Sequence, residues 1–121
     1  MDTKRIYLID DDAECLTSLS FLLKSYGYEC LAFTTAADFI AALPPNAVGV
    51  LLTDHRLTDS NSLSIMQQLD ELEQSLPVIV LSGRTESEVA EQIRNSRAVG
   101  LLHKPINSTD LTKMIETAFG L

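Results

Sequence analysis

The apolar and polar residues of this 121-residue chain follow two patterns that alternate along its length. Short runs that are almost wholly apolar alternate with longer segments in which apolar residues recur every three or four positions. The short runs are typical of strands buried on both faces, and the longer segments are typical of amphipathic helices. The predicted strands are 5–9, 29–33, 48–53, 78–81 and 100–103.

Each longer segment places its apolar residues on one face of a predicted helix. The fourth helix, which ends near Ser96, has the narrowest apolar stripe, and we expect it to be the most loosely held. The residues predicted to face inward are, in chain order, Leu16, Leu19, Leu23 and Tyr26, then Ala36, Phe39, Ile40 and Leu43, then Leu63, Met66, Leu69 and Leu72, then Val89 and Ile93, and finally Leu111, Ile115 and Ala118.

Polar residues at the helix starts support these boundaries. Asp12 is predicted to cap the first helix, over 13–26, and Thr34 or Thr35 to cap the second. Thr85 and Glu88 have the spacing of a capping box at the start of the fourth helix. Asp59 and Asp110 are interpreted as turn and cap residues, and His55 and His103 as surface or loop residues.

Strict alternation of strands and helices predicts the fold class. Apolar strands that alternate with helices indicate a parallel sheet covered on both faces, and right-handed crossovers leave few topologies. The simplest is an α/β, doubly wound, five-stranded parallel sheet with strand order 2-1-3-4-5. The length fits one domain, residues 1–121, without an internal linker or repeat.

The charge balance narrows the classes of partner. The chain has 17 acidic and 9 basic residues, a net charge of −8, so this domain is not expected to bind nucleic acid directly. It suits cations or basic partner surfaces. Cys15 and Cys30 lack metal-ligand spacing and are interpreted as reduced core thiols of a cytoplasmic protein. Neither a membrane-spanning segment nor a signal peptide is expected.

Five polar side chains converge on one edge of the predicted sheet. Strands one and three are neighbours, so Asp10, Asp11 and Asp54 lie at adjacent carboxyl ends, where chemistry gathers in open parallel sheets. A carboxylate there can be a metal ligand, a nucleophile or a loop cap. Crowded carboxylates favour a bound cation, and their hard oxygens suit Mg²⁺. Ser82 and Lys104 add a hydroxyl and a cation, which suits phosphoryl transfer to a carboxylate.

Four segments resemble the signature segments of two-component response-regulator receiver domains, the CheY-like fold. They are Leu-Ile-Asp-Asp-Asp at 8–12, Leu-Thr-Asp at 52–54, Leu-Ser-Gly at 81–83 and Lys-Pro at 104–105. Each segment alone is weak, but the ordered set spans nearly the whole chain and is highly specific.

The resemblance implies a phosphorelay function with Asp54 as the phosphoacceptor, which attacks a phosphohistidine on a sensor histidine kinase. It implies that Asp11 and Asp54 bind Mg²⁺ directly, that Asp10 acts mainly through water, and that the backbone carbonyl of Arg56 completes the protein ligands.

The resemblance also assigns roles to the other two site residues. Lys104 would pair with one phosphoryl oxygen and Ser82 would hydrogen-bond another, and a cis bond is expected between Lys104 and Pro105. Such a domain is a signalling switch, not an enzyme, because it catalyses only its own phosphotransfer and dephosphorylation. Its output surface would consist of the fourth helix, fifth strand and fifth helix.

The resemblance leaves the surroundings of the domain open. The chain would be either a stand-alone receiver or the N-terminal domain of a longer regulator, in the second case followed by an output domain, for which a helix-turn-helix is hinted. A homodimer is compatible with the sequence but is not indicated by it.

The chain departs from the family pattern at several positions. Thr58 and Ser62 stand where proline and glycine are usual, so the loop after Asp54 is predicted to differ in shape without losing a metal ligand. Leu101 replaces the usual switch aromatic, so any switch is expected to rely on the loop after the fourth strand and on the fourth helix.

Two arginines add an expectation about rate. Arg56 and Arg84 occupy variable positions that tune phosphoryl lifetime in the family. Two cations beside an acyl phosphate predict slow self-dephosphorylation.

Two other functions compete with the phosphorylation switch. One is a receiver-like protein-interaction module that works independently of phosphate. The other is a Mg²⁺-dependent phosphohydrolase of the haloacid dehalogenase type, because Asp10 and Asp12 form an Asp-x-Asp after a strand. Ala13-Glu14 replaces the Gly-Thr of that class, which counts against it.

Overall fold

The computed structural model describes residues 4–83 and 87–120, without the side chains of Ser87 and Glu88. Its strands are β1 (Arg5–Ile9), β2 (Glu29–Phe33), β3 (Val50–Asp54), β4 (Val78–Ser82) and β5 (Gly100–His103). Its helices are α1 (Ala13–Ser25), α2 (Ala36–Ala42), α3 (Ser62–Glu71), α4 (Ser87–Arg94) and α5 (Ser108–Ala118).

The five strands form one parallel sheet in the order β2-β1-β3-β4-β5, which confirms the predicted fold class. β1 lies beside β3, with Ile9 paired to Thr53, so the ends of these strands meet at one edge. β4 lies between β3 and β5, and Ser82 is paired to His103 at the same edge. The sheet order therefore brings the carboxyl ends of β1, β3, β4 and β5 together.

The sheet separates two apolar clusters, because successive side chains of a strand point to opposite faces. The cluster on one face packs α1 and α5, and the other packs α2, α3 and α4. The first contains Ile6, Leu8, Leu16, Leu19, Leu23, Val50, Leu52, Ile79, Leu81, Leu111 and Ile115. The second contains Tyr7, Ile9, Ala36, Phe39, Leu51, Ile65, Met66, Leu69, Leu76, Val78, Val80, Val89 and Ile93.

β3 begins and ends later than predicted. Val48 is 81% exposed and lies outside the sheet. Gly49 has a φ of 141°, and a Cβ there would lie 2.5 Å from the carbonyl oxygen of Arg5, so only glycine fits this entry to the strand. The strand runs on to Asp54, which therefore belongs to the sheet and not to the loop that follows.

The prediction that Tyr26 and Leu72 face inward is wrong. Tyr26 and Leu72 are the C-caps of α1 and α3, and Leu72 is 52% exposed. Both helices end before these residues, so they leave the apolar face. In α3 the buried face passes instead through Ile65, which is completely buried beside Met66 and Leu69.

The predicted caps of α1 and α2 are confirmed. A side-chain oxygen of Asp12 accepts hydrogen bonds from the backbone N–H groups of Glu14 and Cys15, and Thr35 caps α2. The cap of α5 is Asn107, not Asp110, which lies in the first turn of that helix. The predicted capping box of α4 depends on Thr85 and on the side chain of Glu88, which lie outside the described part of the chain.

The structure describes the state of the two cysteines. Cys15 and Cys30 are free thiols, each only partly buried. Burial and the neighbouring Asp10 carboxylate raise the pKa of Cys15 to about 11, so this thiol stays protonated near neutral pH.

Within the described ranges, the helices are too short or too polar for any of them to cross a membrane.

Candidate functional site

Three carboxylates meet where β1 and β3 end. Asp10 and Asp11 follow β1, and Asp54 is the last residue of β3. One carboxylate oxygen from each residue lies within 4.8 Å of those of the other two. Asp10 is 1% exposed, Asp54 is partly buried and Asp11 is exposed, so the cluster opens from the core towards solvent.

Lys104 connects β5 to this cluster. Its Nζ atom lies 2.8 Å from Oδ2 of Asp10 and 3.3 Å from Oδ1 of Asp54. Its backbone N–H donates to the carbonyl oxygen of Ser82 at 2.7 Å, which fixes the start of the loop against β4. The bond between Lys104 and Pro105 is cis, as predicted.

The two inner carboxylates differ in their electrostatic surroundings. Burial raises the pKa of Asp54, the Lys104 ammonium offsets part of this, and the neighbouring Asp10 and Asp11 add to it, so the net pKa is raised. Burial alone would also raise the pKa of Asp10. Hydrogen bonds from Lys104 and from the backbone N–H of Asp12 outweigh burial there, so the pKa of Asp10 is lowered.

Lys104 keeps its charge in this environment. Burial alone would lower its pKa, but the hydrogen bond to Asp10 and the nearby Asp54 charge outweigh burial and raise it. The site therefore contains a cation 3.3 Å from the Asp54 carboxylate.

The donor set fits a hard divalent cation. Carboxylate oxygens with access to water suit Mg²⁺, which is commonly bound through one or two carboxylates. Both oxygens of Asp10 already accept hydrogen bonds, Oδ1 from the N–H of Asp12 and Oδ2 from Lys104. A metal ion would therefore have to compete with these hydrogen bonds at Asp10.

The remaining predicted site residues lie at the same edge. Ser82 is buried at the end of β4, next to Leu81, which is paired to Asp54. Arg56 is exposed on the loop after β3, where an antiparallel bridge to Asn61 closes that loop. Arg84, predicted to influence the phosphoryl lifetime, lies outside the described residues.

Sequence reasoning missed a contact between two loops of the site. The Thr58 hydroxyl donates a hydrogen bond of 3.0 Å to Oδ2 of Asp11. The only sequence signal was that threonine stands where the family usually has proline. This difference did not indicate which group would accept a hydrogen bond from the hydroxyl.

His55 lies in the loop after β3, in line with its interpretation as a surface or loop residue, but it is not at the surface. His55 is 9% exposed, and its Nδ1 atom shares a hydrogen bond of 2.7 Å with Oγ of the fully buried Ser62. The physical cause is the loop closure: the N–H of Ser62 donates to the carbonyl oxygen of His55 and brings the two side chains together. His103, by contrast, is exposed at the end of β5.

Asp59 links the loop after β3 to a different helix. Its two carboxylate oxygens accept hydrogen bonds of 3.1 Å from the backbone N–H groups of Ala36 and Ala37, in the first turn of α2. These bonds lower the pKa of Asp59. Asp59 is therefore more than a turn residue, because it caps a helix 22 and 23 residues earlier in the chain.

Comparison with known proteins identifies the family. The family model of the response regulator receiver domain matches residues 6–116. The transcriptional regulatory protein FixJ of Bradyrhizobium diazoefficiens is 34% identical over 119 residues, 98% of this chain and 58% of that protein. The response regulator protein TmoT of Ectopseudomonas mendocina is 32% identical over 116 residues, 96% of this chain and 53% of that protein.

Solved structures agree with the sequence relatives. The structure titled FixJ-N has a TM-score of 0.88 and 29% identity, and the match covers 98% of this chain and 94% of that one. The chain spans little more than half the length of the curated relatives named above. It belongs to the response regulator receiver domain family.

Proposed function

We propose that this receiver domain accepts a phosphoryl group on Asp54 from a phosphohistidine of a sensor histidine kinase, in a reaction that requires Mg²⁺. The observation that carries the proposal is the meeting of Asp10, Asp11 and Asp54 within 4.8 Å beside the Lys104 ammonium. Receiver domains generally bind Mg²⁺, and this acidic cluster has the oxygen donors to do so.

The transfer needs a nucleophile, and in this proposal it is Asp54. A carboxylate oxygen of Asp54 forms the new O–P bond while the P–N bond to the histidine of the donor breaks, and the departing imidazole nitrogen takes a proton from solvent. Protein groups contribute mainly by positioning and by stabilising charge in such a reaction. Asp54 is the last residue of β3 and is partly buried beside the Lys104 ammonium, 3.3 Å away.

The cation and hydroxyl at the site would bind the phosphoryl oxygens. Lys104 is now 3.3 Å from Asp54 and would pair with one of these oxygens, and Ser82 would hydrogen-bond another. Asp11, Asp54 and the backbone carbonyl of Arg56 would bind Mg²⁺, with Asp10 acting mainly through water. The metal ion supplies positive charge that lets several carboxylates and a phosphoryl group share one site.

The same proposal covers regulation. The phosphorylated state would change a protein-interaction surface made of α4, β5 and α5, since added charge and acceptor oxygens bias two-state elements. The domain would act only on itself, by accepting the phosphoryl group and later hydrolysing it. Because the named relatives are nearly twice as long, we propose that it works as the receiver of a longer transcriptional regulator.

Intact-mass spectrometry with a small phosphodonor tests the assignment. Wild type, Asp54→Asn and Asp70→Asn are incubated with acetyl phosphate, with Mg²⁺ or with EDTA. We expect one phosphoryl adduct in wild type and Asp70→Asn that requires Mg²⁺, and none in Asp54→Asn. Asp70 is the matched control because it is an aspartate near the end of α3 that pairs with Arg97 and lies outside the cluster.

Borohydride reduction locates the adduct, because it converts an aspartyl phosphate to homoserine in the peptide that contains it. An adduct at another residue would contradict Asp54 as the acceptor. If wild type formed no adduct and bound no Mg²⁺, a phosphate-independent interaction module would be the better description.

A further inference from the structure

We propose that Thr58 is a positioning residue that holds the Asp11 carboxylate in the orientation required to bind Mg²⁺. This inference rests on the proposed function, because it assumes the metal site of Asp11 and Asp54. It assigns to a side chain outside the acidic cluster a role in metal affinity.

The contact itself joins two loops that are distant in sequence. Oγ1 of Thr58 donates to Oδ2 of Asp11 at 3.0 Å, across a separation of 47 residues. Asp11 is exposed, so its side chain would otherwise exchange among several staggered rotamers in solvent. The hydrogen bond restricts this exchange, and one carboxylate oxygen of Asp11 lies within 4.8 Å of those of Asp10 and Asp54.

The donor is itself held in place on both sides. The N–H of Leu57 donates to the carbonyl oxygen of Ser60 at 2.9 Å, which closes a tight turn around Thr58. The next residue, Asp59, accepts hydrogen bonds from Ala36 and Ala37 at the start of α2. The hydroxyl therefore reaches Asp11 from an anchored loop, not from a flexible one.

A hydrogen bond to a carboxylate that binds a metal ion affects the affinity for that ion. Groups that hydrogen-bond such a carboxylate orient it, and their loss typically weakens metal binding by roughly 10–100-fold. Pre-ordering Asp11 removes part of the entropy cost that binding would otherwise include. A proline at this position has no hydroxyl and would make no such bond, so the substitution changes how the metal ligand is positioned.

Titration of Mg²⁺ followed by two-dimensional ¹H–¹⁵N NMR tests the inference without any phosphoryl donor. The proteins compared are wild type, Thr58→Val, Thr58→Ser and Thr117→Val. Valine has nearly the shape of threonine and lacks the hydroxyl, and serine retains the hydroxyl. Thr117 is the matched control, because it is an exposed threonine whose hydroxyl hydrogen-bonds the backbone of α5 far from the cluster.

We expect the Kd for Mg²⁺ to rise roughly tenfold in Thr58→Val and to stay within about twofold of wild type in Thr58→Ser and Thr117→Val. Metal-free spectra and melting temperatures of Thr58→Val should match wild type, which separates positioning from a general loss of structure.

Two results would overturn the inference in distinguishable ways. Equal Mg²⁺ affinity in wild type and Thr58→Val, or an equal loss in the valine and serine variants, would show that the Thr58 hydroxyl does not position Asp11. The metal site itself would remain supported. If wild type itself showed no Mg²⁺-dependent shifts around Asp11 and Asp54, the metal site of the proposed function would fail, and the role of Thr58 with it.

Discussion

Two loops at the acidic edge of the sheet each contain an aspartate that caps a helix, and the two caps span different distances along the chain. In the loop between β1 and α1, Asp12 makes local contacts: its N–H donates to Asp10, and its side chain caps the helix that it precedes. In the loop between β3 and α3, residues 55–61, the described side-chain contacts of Thr58 and Asp59 reach positions 22 to 47 residues away.

The difference indicates which helix cap can transmit a change. The Asp12 cap acts mainly on its own helix, because its hydrogen bonds end within three residues. Long-range side-chain contacts of the same loop come from Lys104 and Thr58, which donate to Asp10 and Asp11. The loop after β3 touches the β1–α1 loop through Thr58 and α2 through Asp59, so a disturbance at Asp54 has direct routes to two other elements. Four substitutions test this contrast, from the largest expected effect to the smallest.

Ser62→Ala should produce the largest loss of stability. Ser62 is fully buried, and its Oγ atom is hydrogen-bonded to Nδ1 of His55 at 2.7 Å. Alanine therefore removes a buried hydrogen bond where the β3–α3 loop closes. We expect the free energy of unfolding to fall by about 1–3 kcal/mol. Urea denaturation followed by circular dichroism measures this change.

Ser64→Ala is the control for that experiment, because Ser64 is an exposed serine in the same helical turn. It should change stability by less than about 0.5 kcal/mol. Equal effects of the two substitutions would mean that the buried pair of His55 and Ser62 does not hold the loop.

Asp54→Asn should stabilise the metal-free protein by about 1 kcal/mol, in the range of substitutions that relieve strain at functional sites. The amide removes one negative charge from three carboxylates that meet within 4.8 Å, where burial and its neighbours raise the pKa of Asp54. Urea unfolding in EDTA measures the gain, and added Mg²⁺ should narrow the difference by stabilising wild type. A less stable variant in EDTA would show that the contact with Lys104 outweighs the repulsion.

Asp12→Ala should lower stability by up to about 1 kcal/mol through the loss of the α1 cap. Because the side-chain contacts of Asp12 are local, amide hydrogen exchange should increase at the start of α1 and stay unchanged in residues 55–61. Faster exchange in both loops would contradict the local character of the Asp12 cap.

Asp59→Asn should have the smallest effect and a defined pH dependence. The hydrogen bonds from Ala36 and then Ala37 lower the pKa of Asp59 below its ordinary value of 3.8. A lowered carboxyl pKa contributes stability above the unfolded value, and this contribution is lost as the pH falls through the folded value. The difference in Tm between wild type and variant should therefore be constant near neutral pH and shrink below about pH 4.

Melting curves between pH 3 and 7 provide the check, and faster hydrogen exchange at the start of α2 should accompany the lower Tm. A difference in Tm that grew with acidity would show that the Asp59 carboxylate does not cap α2.

Much of the fold was predictable because its signals are short-range. The apolar runs located all five strands, with β1, β2 and β5 at their predicted bounds, and capping residues located the starts of α1 and α2. The errors at Val48, Tyr26 and Leu72 lie at element ends, where an apolar residue beside an apolar stripe is not always part of it.

By itself the sequence determined the order of elements, the parallel sheet and the edge at which Asp10, Asp11 and Asp54 meet, because periodicity and alternation follow from the backbone geometry of strands and helices. Only the tertiary structure decided that Thr58 would reach Asp11, that Asp59 would cap α2 and that His55 would be buried against Ser62. Those contacts depend on how the loop after β3 closes between two elements from other parts of the chain. A loop conformation of this kind is set by hydrogen bonds across the fold, and no periodicity in the sequence encodes it.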